Sequence, residues 1–134
     1  MTLVRREQKR ERRGFTLMEI LVVVAIIVAL AGVGGYYLMQ AADKAKVDIA
    51  RSKAKETLTK ACENYKLDHN DQWPPSLDVL VQGDENGRAY LTDADAIKDP
   101  WGQVYSYDPN GQHHQGRRPD IYTMSPAGEQ IGNW

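Results

Sequence analysis

The residues with the clearest chemical content lie near the amino end. Glu19 is the one charged residue in the run 15–39, FTLMEILVVVAIIVALAGVGGYYLM. A charged side chain at the centre of a membrane-spanning helix costs about 2.5–3.5 kcal/mol to insert, and less near the helix end. A plain anchor gains nothing from that charge, so a partner cation is expected. Cutting the chain between Gly14 and Phe15 supplies one. The new α-amino group of Phe15 would lie about one helical turn from Glu19, and the same group on a neighbouring copy offers the same charge. The alternative is a glutamate merely tolerated near the interface. The chemistry suggested here is neutralisation of Glu19 by an amine that a cut after Gly14 would create.

Other reactive groups form no comparable pattern. His113 and His114 are adjacent and stand beside Arg117 and Arg118. Neighbours in sequence cannot share a helix face as metal ligands, and cationic surroundings disfavour a metal, so a solvated loop is expected. Asp99, Asp108, Asp120 and Glu129 are scattered without a pair that stands out for acid–base work. There is no nucleophile elbow, phosphate-cradling glycine loop or Cys-x-x-Cys pair. Cys62 is the single cysteine, which excludes an intrachain disulfide, and its place on an apolar stripe reads as a small buried hydrophobe.

The elements that carry these groups follow from hydropathy and charge. As a helix, residues 15–39 reach about 37 Å, enough to cross a bilayer. Ahead of them stand Arg5, Arg6, Lys9, Arg10, Arg12 and Arg13 against Glu7 and Glu11. That cationic flank stays on the cytoplasmic side and places everything after about Tyr37 beyond the membrane. A secretory signal peptide has a similar front but a shorter apolar core, followed by a small-residue cleavage site. An uncleaved single-span anchor is the plainer rival. Gly32, Gly34 and Gly35 allow close helix approach or local loosening.

Beyond the span, Val47, Ala50, Ala54, Leu58, Ala61, Cys62 and Tyr65 recur at three- and four-residue steps, the pattern of an amphipathic helix. Its other face, with Asp43, Lys44, Lys46, Asp48, Arg51, Lys53, Lys55, Glu56 and Lys60, reads as solvated. The helix is expected to stop near Asn70, ahead of Trp73-Pro74-Pro75. Ser76 is the expected N-cap of a short helix through Leu77, Leu80 and Val81 that ends at Gly83. Residues 103–107 and 120–124 are expected to pair as antiparallel strands around a loop holding Asn110-Gly111. The turn Asp99-Pro100-Trp101-Gly102 is expected to bring Trp101 onto the core, and Trp134 to clamp the C-terminus. The fold class is therefore α+β: a long N-terminal hydrophobic helix, membrane-spanning and then amphipathic, packed on a small antiparallel sheet. A net charge of −1 and a length of 134 residues suit one modest core and give no push toward nucleic acid.

The stretch RRGFTLMEILVVVAII resembles the N-terminal signature of type IV pilins and pseudopilins: a basic leader, glycine, phenylalanine, and glutamate four positions on. The phrases DQWPPSLDVLV, KDPWGQVYSY, DIYTM and IGNW resemble the major pseudopilin family of the type II secretion system. The resemblance implies cleavage after Gly14 by a prepilin peptidase, N-methylation of Phe15, and a role for Glu19 in subunit assembly. It divides the chain into a cleaved leader (1–14), a transmembrane or filament-core helix (15–39), an amphipathic continuation (40–72) and a periplasmic head (73–134). Such a chain is a single-pass inner-membrane protein and no enzyme. Its implied partners are its own copies in a homopolymeric filament, the peptidase, minor pseudopilins, the inner-membrane assembly platform and membrane lipid, with no nucleic acid. A type IV pilus subunit and a membrane-anchored periplasmic domain acting alone are the alternatives. The resemblance fails at one place. Major pseudopilins usually bind a structural calcium through an aspartate-bearing C-terminal loop, whereas this chain reads Ser125-Pro126-Ala127-Gly128-Glu129-Gln130-Ile131-Gly132, with Ala127 where the aspartate would fall. Calcium takes six to eight oxygen ligands. No family-type calcium site, and no other cofactor, is expected.

Overall fold

A long apolar stretch without proline favours helix, and in the computed structural model, which describes residues 14–134, α1 spans Leu17–Ser52. The cationic leader, residues 1–13, lies outside the described residues. The chain divides after Gln40 into two units.

In the first unit no other described residue covers the helix. The large apolar side chains between Leu17 and Met39 are 50% to 82% exposed. Near the end of the unit Tyr36 and Tyr37 meet edge to face at 6.2 Å, and Gln40 Nε2 donates to the Tyr36 hydroxyl at 2.7 Å.

The second unit begins at Ala41 and has a core of its own. After Ser52 a π-helical turn, Lys53–Leu58, leads into α2, Thr59–Asp68. The Thr59 hydroxyl donates to the Ala54 carbonyl at 2.8 Å, giving the turn a local bond of its own. The wider turn shifts the buried stripe so that Leu58 and Thr59 both face inward, together with Ala50, Ala54, Ala61 and Cys62. Helix α2 ends at Asp68, and Asn70 and Asp71 take positive φ of 51° and 68°, a conformation that Asn and Asp tolerate better than most residues.

A short helix α3, Asp78–Gln82, follows and stops at Gly83, whose φ is +99°. Ser76 is not its cap. Leu77 holds the N-cap position with helical angles and no side-chain cap bond, and it is buried, so packing rather than capping sets this start. After it comes a 3-10 turn, Ala94–Ile97, and Leu91 and Ile97 join the core. Lys53, expected on the solvated face, reaches over to donate to the carbonyls of Asp95 (3.0 Å) and Lys98 (2.6 Å).

Three antiparallel strands complete the head: β1 Ser106–Asp108, β2 Asp120–Met124 and β3 Gln130–Gly132, in that order. Tyr107 pairs with Ile121, and Thr123 with Ile131. The first strand starts later than its sequence pattern suggests, and residues before it form only a bridge, Lys98 with Val104. Asp99 explains the delay. Its buried carboxylate accepts the backbone N–H groups of Trp101 (2.9 Å) and Gln103 (2.8 Å) and the Thr123 hydroxyl, which curls the chain out of the ladder. Trp101 therefore lines a surface groove instead of joining the core. Gly111 in the β1–β2 connection has φ +48°, and a Cβ there would collide with the Arg118 carbonyl.

The C-terminus is tied in by Asn133. Its side chain accepts the Ile121 N–H (3.1 Å) and donates to the Thr59 hydroxyl (3.2 Å) and the Pro119 carbonyl (3.0 Å). One buried amide thus joins the start of α2, β2 and the chain end. Replacing it with leucine (Asn133→Leu) leaves several of these groups unpaired, each costing about 1–3 kcal/mol. A clear drop in the midpoint of chemical unfolding is expected, and an unchanged midpoint would refute this role.

Candidate processing and assembly site

Gly14 and Phe15 precede the helix and are exposed. Thr16 stands just before the first helical residue, and its carbonyl accepts the Ile20 N–H at 3.3 Å. The Thr16 hydroxyl accepts the Glu19 N–H at 3.2 Å, while Glu19 Oε2 accepts the Thr16 N–H at 3.3 Å. This is a reciprocal capping box. A carboxylate in the first turn also faces the positive end of the helix dipole. Glu19 therefore has a local partner that the reading from charge alone overlooked, although Thr-x-x-Glu ahead of an apolar run was visible in the sequence. The box accounts for Glu19 Oε2 and orients the carboxylate toward the end of the helix at which Phe15 lies.

The second component of the site is the apolar surface itself. Over Leu17–Asp68 the structure holds one helix long and apolar enough to cross a membrane, and none of its apolar window is buried. Positions 32, 34 and 35 have open space where a Cβ would stand. A surface of this kind requires lipid or neighbouring helices around it.

The head carries two charged clusters. His113 and His114 do not form a merely solvated loop, as their sequence suggests: both rings turn Nδ1 toward the buried Asp120 carboxylate, at 2.8 and 2.9 Å, and the His113 N–H adds a bond at 2.9 Å. His113 also stacks on Trp134 at 3.7 Å, so the terminal aromatic is held by a ring face while remaining 38% exposed. On the other side, His69 stacks on Tyr65 at 3.8 Å, with Nδ1 2.8 Å from the Tyr65 carbonyl. Its Nε2 lies 3.2 Å from Asp84 Oδ2, within ion-pair reach but off the hydrogen-bonding direction.

Asp84 is held below the usual carboxylate range, first by the Arg88 backbone N–H, then by that of Asn86, and by His69 and Tyr90. Burial works to raise the Asp120 carboxyl, but the His113 N–H and the two imidazoles outweigh it and leave it lowered. Burial pushes the Cys62 thiol up to about 12, with Glu63 adding to the effect, which keeps it protonated and unreactive. Among the described residues no group of three or more His, Cys, Asp and Glu side chains is placed to hold a metal.

Both aspartates are depressed in the folded head, so their contribution is complete above the unfolded carboxylate pKa and fades as pH falls through the folded values. The thermal midpoint should therefore fall as the pH drops below about 4, the unfolded carboxylate pKa. Asp120→Asn should lower the midpoint at neutral pH and flatten that acid dependence, and an acid profile identical to the parent's would contradict the assignment.

Residues 37–133 match the family model for type II secretion system protein G, and residues 9–34 match the prokaryotic N-terminal methylation motif. The chain is 34% identical to the type II secretion system core protein G of Pseudomonas aeruginosa, over 95% of this chain and 98% of the relative. It is 37% identical to the protein of that name from Aeromonas hydrophila, over 95% of each. With the Klebsiella pneumoniae protein it shares 35% identity, over 93% of this chain and 96% of the other. No solved structure gave a significant match.

Proposed function

The chain belongs to the type II secretion system protein G family, and on that premise we propose that it works as a processed, methylated subunit whose apolar helix moves from lipid into a filament. It is a major pseudopilin, a structural subunit of the pseudopilus. The observation that carries the mechanism is the uncovered apolar part of α1 with a capped glutamate at its start.

Each step follows from those groups. Prepilin peptidase cuts between Gly14 and Phe15, in the exposed backbone ahead of the helix, and the freed amine of Phe15 is methylated. The helix then anchors the subunit in the inner membrane with the head in the periplasm, on the side opposite the basic leader. During assembly the apolar side chains exchange lipid for the helices of neighbouring copies, so burial is retained throughout. Glu19 already satisfies its helix end through Oε2, and it receives the cationic amine of Phe15, from its own or a neighbouring chain, as the charge partner that desolvation demands. Minor pseudopilins and the inner-membrane platform are the further partners of this reading, and the platform supplies the work.

Intact-mass measurement of the membrane-extracted chain, made with its own peptidase present, should give the mass from Phe15 to Trp134 plus one methyl group. An uncut chain would leave a plain anchor. Two variants separate capping from charge. Glu19→Gln keeps a side chain that can complete the box but removes the charge, whereas Glu19→Ala removes both. Both should insert, be cleaved and yield few filaments, and normal filament yield in Glu19→Gln would refute the charge pairing.

A further inference from the structure

The connection between β2 and β3, where the family resemblance places a structural calcium, has its hydroxyl oxygen, two of its carbonyls and its carboxylate committed to donors within the protein. Residues 125–129 close on themselves: the Ser125 N–H donates to the Glu129 carbonyl (2.8 Å), the Gly128 N–H to the Ser125 carbonyl (2.9 Å), and the Glu129 N–H to Ser125 Oγ (3.0 Å). Gly128 supplies the left-handed step, φ +83°, that so tight a closure requires. The Ser125 and Glu129 carbonyls and the Ser125 hydroxyl oxygen, which a hard cation would seek, each face a donor.

The carboxylates are occupied in the same way. Glu129 is the only one in the connection, and its Oε1 lies 3.3 Å from Arg51 Nη2 on α1. Asp99, beneath β2, takes two backbone N–H groups on Oδ1 and the Thr123 hydroxyl on Oδ2. Asp120, at the far end of β2, is engaged by His113 and His114. The adjoining groove, about 650 Å³, sets Asp43, Asp48 and Glu129 against Lys44 and Arg51. Two cations among three carboxylates oppose a divalent ion, which needs several free oxygens and little positive charge nearby.

We propose that this pseudopilin closes its C-terminal hairpin without metal, and that the Arg51 guanidinium takes over the task of tying the loop to the helix. The interaction is a charge-assisted bond between half-exposed side chains, so its effect is local ordering of the hairpin and not global stability. The comparison with calcium rests on the family reading given above, but the test does not require a filament.

The full-length processed chain in detergent micelles should unfold at the same temperature in millimolar calcium and in chelator. Arg51→Ala should speed amide exchange at Ser125 several-fold while leaving core amides such as Leu80 protected. The charge swap Arg51→Glu with Glu129→Arg should restore slow exchange. A calcium-dependent rise in the midpoint with stoichiometric binding by calorimetry would overturn the proposal, as would unchanged Ser125 exchange in Arg51→Ala. Either result would leave the processing and assembly reading standing, and an uncut chain would leave this one standing.

Discussion

Everything in this protein answers to one constraint, an apolar helical surface that the described residues of its own chain leave uncovered. At about 25 cal/mol for each Å² of apolar area, large apolar side chains half or more exposed along more than five turns cannot stay in water. They must be held by lipid or by other copies, and both environments exact the same features. The backbone is helical because no water is present to satisfy it. The one carboxylate sits at the helix start, where Thr16 and the dipole support it. Tyr36, Tyr37 and Gln40 mark the change to polar surroundings, as amphipathic rings do at a membrane boundary. After Glu19, charged residues resume only at Asp43.

The head solves a different problem, that of a small domain with no disulfide. Its aliphatic core is modest, centred on Leu58, Leu80 and Ile121, and its strands are short. Buried polar groups bind the pieces together. Asp99 fixes the turn before β1, Asp120 gathers the β1–β2 connection through two histidines, and Asn133 joins the chain end to the start of α2. Tyr105 and Tyr107 send their hydroxyls to the Ala50 and Pro74 carbonyls, 2.9 and 2.7 Å away, so that even the aromatic core anchors backbone. Such networks contribute only when every member is paired. For that reason the head depends on a few polar residues as much as on its apolar ones.

The long helix, its amphipathic continuation and the β1–β2 pairing were legible because each rests on local periodicity, and the α+β class followed from them. The capping box was legible too, but the charge of Glu19 drew attention away from Thr16. Other features were hidden for a physical reason. Strand β3 is three residues long with a glycine at its end, too short to show alternation. The π turn depends on a hydroxyl bonding five residues back, and the histidine contacts with Asp120 depend on a loop that folds over a strand end; neither leaves a periodic trace. Trp101 was misplaced because its size suggested burial, while Asp99 beside it was the residue the turn actually buries.

The central claim, that the apolar helix exchanges lipid for other copies of itself, is tested most directly by a photo-crosslinking residue at Ile27, in the middle of the exposed run. With the secretion system active, irradiation should give a ladder of crosslinked multimers of this chain. Crosslinks to lipid alone, with the protein still monomeric, would contradict the account.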